Sequence, residues 1–206
     1  MADQINREYT LRRLHSLLGV IPIGLFLMQH LVINHFSTYS EEAFNTAAGI
    51  VGNLPLVIVL EFAVIYIPIL FHGIYGVYIA FVTEMNLGRY GWFRNWMFML
   101  QRITGIITLI FIGWHVWETR LANAIYGTEV NFDMMANILS SPFMFWFYVV
   151  GVLAAVFHFA NGLWSFFVTW GLTITPKSQR IMTIIVFFIF VIFSYLGLAS
   201  LVAFAS

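Results

Sequence analysis

The stretch PFMFWFYVVGVLAAVFHFANGLWSFFVTWG, residues 142–171, contains no Asp, Glu, Lys or Arg. About 20 helical residues cross a hydrocarbon core of about 30 Å, so this stretch is long enough to span a membrane. His158 stands near its middle, four residues before Gly162. A buried imidazole in hydrocarbon is costly unless a partner holds it. The stretch therefore predicts a transmembrane helix and, at His158, a functional site.

The rest of the chain repeats this pattern. Of its 206 residues, 61% are hydrophobic and 9% are charged, against about 25% charged in soluble domains. Five apolar stretches are long enough to cross a bilayer. We therefore predict a single all-α domain over residues 1–206, an integral membrane bundle of five transmembrane helices. The predicted spans are about 14–36, 55–83, 95–119, 142–171 and 179–204.

The cationic residues predict the orientation of the bundle. Seven of the nine positive charges precede span one or lie between spans two and three or four and five. Arg102 lies just inside span three on the same side, and only Arg120 lies on the other side. The positive-inside rule then places the N-terminus in the cytoplasm and the C-terminus outside. Two outer connections, residues 40–50 (SEEAFNTAAGI) and 131–141 (NFDMMANILSS), open with helix start signals and predict short interfacial helices.

Composition also excludes some functions. The chain has no cysteine, so it cannot ligate an iron–sulfur cluster through thiolates or attach c-type haem covalently. Its formal net charge is zero, so nothing indicates binding of nucleic acid.

Four histidines lie one each within spans one to four, at two depths. With a helical rise of about 1.5 Å per residue, His30 and His115 lie about 8–10 Å below the outer edge. His72 and His158 lie roughly 25 Å below it, so the two levels are about 15 Å apart. The depths predict an outer pair, His30 with His115, and an inner pair, His72 with His158.

Two histidine pairs, each joining two helices, are what two bis-histidine haems require. A porphyrin also needs small residues beside its ligands, and Gly76 and Gly162 lie four residues after the two inner histidines. The alternative is that each histidine hydrogen-bonds a neighbouring helix. A zinc or copper site is disfavoured because the two pairs lie too far apart and lack thiolates and carboxylates.

Haem propionates are anionic and need polar partners. Arg102 lies about 5 Å inward of the inner pair, and Arg13 and Ser16 lie roughly 5–10 Å inward of it. These three residues are the candidate propionate ligands, with ordinary anchoring at the membrane surface as the alternative for the arginines. The remaining histidines, His15 and His35, lie at the ends of span one, where we expect interfacial roles.

Four segments carry a family resemblance: residues 11–36 (LRRLHSLLGVIPIGLFLMQHLVINHF), 93–106 (FRNWMFMLQRITGI), 130–142 (VNFDMMANILSSP) and 158–180 (HFANGLWSFFVTWGLTITPKSQR). They resemble the single-polypeptide, two-haem cytochrome b subunit of bacterial succinate dehydrogenase. The resemblance implies an anchor in the bacterial cytoplasmic membrane for a flavoprotein with covalent FAD and an iron–sulfur protein, both cytoplasmic. It also implies menaquinone as electron acceptor and the four paired histidines as the ligands of two b-type haems.

The chain has no motif for binding a dicarboxylate or a flavin, so we expect it to pass electrons and not to oxidise succinate itself. Quinone reduction needs a proton donor. Glu61 lies about 9 Å below the outer edge, level with the outer pair, and an intramembrane carboxylate is a functional candidate. Glu118, three residues after His115, is a weaker candidate.

Three other functions stay open at this point. The same architecture serves as the anchor of a quinol:fumarate reductase, and sequence does not fix the direction of catalysis. The cytochrome b subunit of a hydrogenase or formate dehydrogenase is also a bundle with several histidines. A haem-free transporter could use its histidines as a proton relay.

Overall fold

The computed structural model describes residues 2–84 and 87–206. Within these residues the chain forms helices and no strand, which confirms the all-α prediction. The helices are α1 (Ala2–Val20), α2 (Pro22–His35), α3 (Glu41–Gly52), α4 (Val57–Leu60), α5 (Ile67–Val82), α6 (Phe93–Val116), α7 (Ala122–Tyr126), α8 (Phe132–Leu139), α9 (Pro142–Thr169) and α10 (Pro176–Ala205). One π-helical turn, Glu61–Tyr66, connects α4 to α5, and another, Trp117–Leu121, connects α6 to α7. A 3₁₀ turn, Phe36–Thr38, follows α2.

Five continuous helical segments are long and apolar enough to cross a membrane, as predicted. Span one starts earlier and span three ends later than the apolar stretches alone indicate, because polar residues at their ends continue the helices. The spans are Asn6–Thr38, Val57–Val82, Phe93–Tyr126, Pro142–Thr169 and Pro176–Ala205.

Prolines explain two irregularities in the spans. Span one is divided at Ile21 because Pro22 lacks a backbone N–H and cannot continue the hydrogen-bond ladder of α1. In span two, Pro68 follows the π-helical turn Glu61–Tyr66. A proline ring clashes with the carbonyl four residues earlier, and the wider π-helical turn relieves that clash.

Both predicted short helices are present, and they cover one end of the bundle. The Ser40 hydroxyl caps α3 by accepting from Ala43 N at 3.0 Å, and Asn131 Oδ1 caps α8 by accepting from Met134 N at 3.0 Å. Phe44 of α3 packs on Phe204 of α10, with ring centres 4.9 Å apart. The end covered by α3 and α8 is called the outer end below, and the opposite end the inner end.

Span four is the central helix. In its most apolar window 44% of residues are buried inside the protein, against 6–17% in the other four spans. Its helix α9 contacts α1, α6, α8 and α10. Tyr148, Val152 and Val156 of α9 form the core with Phe111 of α6 and Leu201 of α10. The faces of the other spans that are turned away from α9 are apolar and exposed, as lipid contact requires.

Close packing of α6 on α9 generates a prediction. Gly151 of α9 lies directly against the Phe111 ring, so that a Cβ at this position overlaps the ring, whereas a Cβ at Gly113 of α6 meets nothing within 4 Å. We expect Gly151→Ala to destabilise the protein by about 1–3 kcal/mol. Its thermal midpoint in detergent should fall, while that of Gly113→Ala should stay or rise slightly, since alanine favours helix. Equal midpoints for the two variants would contradict this account of the interface.

Candidate functional site

Four histidines on four helices come together in the bundle as two pairs. The ring centres of His30 of α2 and His115 of α6 are 5.9 Å apart. Those of His72 of α5 and His158 of α9 are 6.1 Å apart. The residues are half-buried, and each pair joins two different spans. The geometry agrees with the outer and inner pairs that helical rise predicts.

The spacing within each pair fits one metal ion between two imidazoles. A metal–nitrogen bond to imidazole is about 2 Å and the ring centre lies roughly 1 Å beyond the nitrogen, so ligands on opposite sides of a metal have ring centres roughly 6 Å apart. The observed distances are 5.9 and 6.1 Å. Among residues 2–84 and 87–206, no three His, Cys, Asp or Glu side chains cluster as a metal site. A metal at either pair therefore needs further ligands, as a porphyrin supplies.

Backbone carbonyls orient both inner histidines. His72 Nδ1 lies 2.9 Å from the His15 carbonyl oxygen, and His158 Nδ1 lies 3.0 Å from the Gln101 carbonyl oxygen. A carbonyl oxygen can only accept, so these bonds place a proton on Nδ1 of each ring and leave the lone pair on Nε2. This is the usual arrangement of a metal-ligating histidine.

An amide network fixes His158 further. The Gln101 side-chain amide donates to the His158 carbonyl at 2.9 Å and lies 3.2 Å from His158 Nδ1. Asn161, which is 9% exposed, donates to Gln101 Oε1 at 2.7 Å and to the Met97 carbonyl at 3.0 Å. One turn of α9 is thereby tied to one turn of α6 at the inner pair.

The outer histidines have side-chain partners instead. His115 Nδ1 lies 3.3 Å from the Tyr148 hydroxyl. The Asn34 amide donates to the His30 carbonyl at 2.8 Å and lies 3.3 Å from His30 Nε2. Ligation through His30 Nε2 is compatible with this contact if the Asn34 amide keeps only its bond to the carbonyl.

The two predicted glycines face polar side chains near the inner pair. A Cβ at Gly76 would lie 3.1 Å from His15 Nε2, and one at Gly162 would lie 3.2 Å from Gln101 Nε2. The space next to each glycine is therefore occupied by the side chain of a neighbouring helix.

Two further glycines, which sequence reasoning missed, lie against the inner rings themselves. A Cβ at Gly105 would lie 2.8 Å from Cε1 of His158, and a Cβ at Gly19 would overlap the His72 ring. Both glycines belong to helices other than that of the ring they contact, so spacing along one helix does not reveal them.

His15 lies inside the bundle and not at an exposed interface as expected. Its ring stacks on that of His72, with centres 4.0 Å apart and planes 6° apart. The depth of His15 in the sequence could have predicted this position, because helical rise places His15 about 22 Å inward of His30 and thus near the inner pair. His35 lies beside Tyr39 and Tyr195 in the outer half of span one.

The predicted propionate ligands lie in the inner half of the bundle. Arg102 is 9% exposed, and its Nη1 donates to the Thr83 carbonyl at 2.7 Å. The Arg13 guanidinium covers the Trp170 ring at 4.3 Å, and Ser16 follows Arg13 by three residues on α1. Within the described part of the chain, Arg102 Nε, Arg102 Nη2 and Arg13 Nε have no hydrogen-bond partner. Buried guanidinium donors without acceptors are costly, so they fit an anionic group.

Glu61 lies in the π-helical turn of span two and forms an ion pair across the bundle. Its Oε2 accepts from Arg120 Nη2 at 2.8 Å and from Arg120 Nε at 3.2 Å. Arg120 lies in the π-helical turn of span three and also donates to Asn123 Oδ1 at 2.9 Å. Glu61 and Arg120 lie at similar depths by helical rise, and this similarity could have predicted their ion pair from the sequence.

Glu118 has a different partner in the outer half. Its Oε2 accepts from the Tyr148 hydroxyl at 3.3 Å, and the same hydroxyl contacts the outer histidine of span three. The two candidate carboxylates therefore belong to separate polar networks, one that joins spans two and three and one that joins spans three and four.

Five membrane spans that enclose two histidine pairs are the arrangement expected of a membrane-bound, haem-binding cytochrome. Comparison with known proteins identifies the family. Residues 83–197 match the succinate dehydrogenase/fumarate reductase transmembrane subunit family. The chain is also 61% identical over 199 residues to the succinate dehydrogenase cytochrome b558 subunit of Bacillus subtilis (strain 168), which covers 97% of this chain and 98% of that protein. The chain therefore belongs to the succinate dehydrogenase/fumarate reductase transmembrane subunit family and is a multi-pass membrane protein.

The amide network at the inner pair generates a prediction. Asn161→Ala removes two hydrogen bonds and leaves Gln101 Oε1 buried without a donor, at a cost of about 1–3 kcal/mol. We expect a lower thermal midpoint and altered haem absorbance for the purified protein. Ser165→Ala is the matched control, because Ser165 lies one turn further along α9 and its hydroxyl bonds only to its own helix. If both variants melt and absorb like the original protein, the network does not support the inner pair.

Proposed function

We propose that this chain is the membrane anchor and electron-transfer subunit of a succinate:menaquinone oxidoreductase. His72 and His158 would hold an inner b-type haem and His30 and His115 an outer one, and these groups would carry electrons from a cytoplasmic flavoprotein and iron–sulfur subunit to menaquinone. The observation that carries the proposal is the presence of two histidine pairs, at two depths, in a chain of this family.

The haems would supply one-electron transfer between the inner and outer levels. The chain's own part is to fix the imidazoles, and the Nδ1 bonds of His72 and His158 to backbone carbonyls support this role. These bonds leave the Nε2 lone pair of each ring available to a metal. The spans around the pairs exclude water, which keeps competing reactions away.

The same proposal assigns the polar residues near the inner pair. Arg102, with Arg13 and Ser16 as further candidates, binds haem propionates through donors that otherwise have no acceptor in the described chain. Gly76 and Gly162 would leave room for a porphyrin one turn from the inner ligands, where the absence of a Cβ already avoids contacts of 3.1 and 3.2 Å with neighbouring side chains. Anionic propionates would also neutralise guanidinium charge inside the bundle.

Family membership supports a flavoprotein and an iron–sulfur protein as partners. The chain has no cysteine, so the iron–sulfur clusters belong to another subunit, and FAD belongs to the flavoprotein. Eight of nine cationic residues lie at the inner end or in its connections, which supports a cytoplasmic N-terminus, an outer C-terminus and docking of the partner subunits at that end.

Menaquinone binds, in this proposal, at the outer level between spans two and three. Glu61 is the proton donor: its carboxylate takes up a proton when the ion pair with Arg120, 2.8 Å long, opens, and then passes that proton to the reduced quinone. Both residues lie in π-helical turns, which occur frequently at functional sites. Family membership sets aside the hydrogenase, formate dehydrogenase and transporter alternatives, whereas fumarate reduction is the same reaction run in reverse.

The direct test of the function is purification of the native complex with identification of its subunits. Succinate oxidation by menaquinone and fumarate reduction by menaquinol are then measured on the same preparation. A complex with FAD and iron–sulfur partners and a faster rate in the succinate direction supports the proposal. A faster fumarate reduction would identify the rival direction, and purification without these partners would contradict the anchor role.

The histidine pairing predicts which variants lose which haem. Replacing His72 or His158 with alanine should remove the inner haem in both cases, because one of the two histidines proposed to hold it is lost from the same site. Replacing His30 or His115 should remove the outer haem. Reduced-minus-oxidised spectra resolved by redox titration distinguish the two. Loss of the same haem from the His30 and His72 variants would show that the pairing is wrong.

The proton-donor role of Glu61 predicts a separation of activities. Glu61→Gln should lower menaquinone reduction about 100-fold, as loss of a general acid does. Both haems should stay bound, and succinate-dependent reduction of an artificial dye should be unchanged. Glu129→Gln is the control, since Glu129 is an exposed carboxylate in an outer connection. Full menaquinone reduction by Glu61→Gln would exclude Glu61 as the donor.

A further inference from the structure

A buried polar chain connects His115 to a carboxylate. Tyr148 of α9 is 2% exposed, and its hydroxyl lies 3.3 Å from Nδ1 of His115 and 3.3 Å from Oε2 of Glu118. The histidine and the glutamate lie one turn apart on span three, and Tyr148 reaches both from span four. The Phe111 and Phe147 rings pack around the phenol, with ring centres 5.2 and 6.2 Å away. The hydroxyl therefore depends on these two partners.

The chemistry of the three groups fixes the direction of the hydrogen bonds. A carboxylate can only accept, and a tyrosine hydroxyl has a single hydrogen to donate. Tyr148 therefore donates to Glu118, and its oxygen accepts from His115 Nδ1–H. The His115 ring then carries its lone pair on Nε2, which is the nitrogen available to a metal.

This arrangement differs from the one at the inner pair. His72 and His158 donate to neutral backbone carbonyls, whereas the chain from His115 ends in a carboxylate. Charge at the end of a hydrogen-bonded chain polarises each bond along it. The His115 imidazole therefore becomes a stronger electron donor than the inner ligands, and a stronger donor favours the oxidised form of a bound iron.

We propose, on the basis of the function proposed above for His115, that Tyr148 and Glu118 form a relay that positions this ligand and lowers the reduction potential of the outer haem. Tyr148 is a positioning residue that acts through His115. Glu118 supplies the charge, and its role is electrostatic and distinct from the proton donation proposed for Glu61.

Redox titration of the native complex, followed by haem absorbance, tests the relay. Tyr148→Phe removes the hydroxyl and keeps the ring. Glu118→Gln removes the negative charge and keeps a side-chain oxygen that can accept from the Tyr148 hydroxyl. Each substitution should raise the reduction potential of the outer haem by about 59 mV, which corresponds to a tenfold change in its one-electron equilibrium constant. The reduction potential of the inner haem should stay unchanged. Tyr195→Phe and Glu129→Gln are controls, since both residues are exposed.

The outcomes separate the relay from the proposed function. Unchanged outer potentials in both test variants, with both haems bound, overturn the relay and leave the function intact. A shift of the inner haem instead also overturns the relay. If Tyr148→Phe fails to assemble, the outer potential of Glu118→Gln decides. Failure of the proposed function would show earlier, as absence of haem in the unmodified complex or as retention of both haems after replacement of His115.

Discussion

The hydrogen bonds at Nδ1 of the inner histidines, His72 and His158, are the interactions on which the rest of the site depends. Hydrocarbon offers no partner to a polar nitrogen, so the acceptor has to come from a neighbouring helix. His72 takes it from α1 at 2.9 Å and His158 from α6 at 3.0 Å. These distances fix both the rotation and the depth of the helices that supply the acceptors, and thereby the two inner Nε2 positions.

Such short bonds between helices require close backbones, and glycine makes that approach possible. Gly19 lies against the His72 ring and Gly105 against the His158 ring, while Gly151 admits Phe111 between α6 and α9. The α6–α9 interface thus contains one inner ligand, the amide network of Asn161 and much of the apolar core. Stability of the fold and geometry of the site rest on the same surface, which explains why span four is the most buried of the five.

Sequence alone could predict the features that depend on distance along a helix axis. The five spans are predicted by the apolar stretches, and the two depths by the fixed rise per residue along a helix. The short helices are predicted by cap residues such as Ser40 and Asn131. Features that depend on the rotation of one helix against another were out of reach. The contacts of His15, Gly19 and Gly105 belong to this second group, because neighbouring helices in a membrane are both apolar and sequence does not mark the faces that meet.

The charged partner of Glu61 and the role of Tyr148 were missed for the same reason, although depth placed Arg120 near Glu61. Pro68 itself was a sequence signal for the irregular helical turn that precedes it. No such residue marks the turn Trp117–Leu121, which carries Glu118 and Arg120. Its wider geometry changes which side chains face spans two and four, and periodicity of 3.6 residues gives no indication of that change.

The two ends of the bundle therefore differ in the kind of acceptor that they offer. At the inner pair the imidazoles donate to backbone carbonyls, which neither take up nor release protons. At the outer pair the polar partners are side chains, and two networks end in the carboxylates of Glu61 and Glu118. Reduction of a quinone consumes protons as well as electrons, whereas transfer between haems consumes none. The carboxylates of Glu61 and Glu118 lie in the outer half of the bundle, and this position is what the proposed quinone chemistry at the outer end requires.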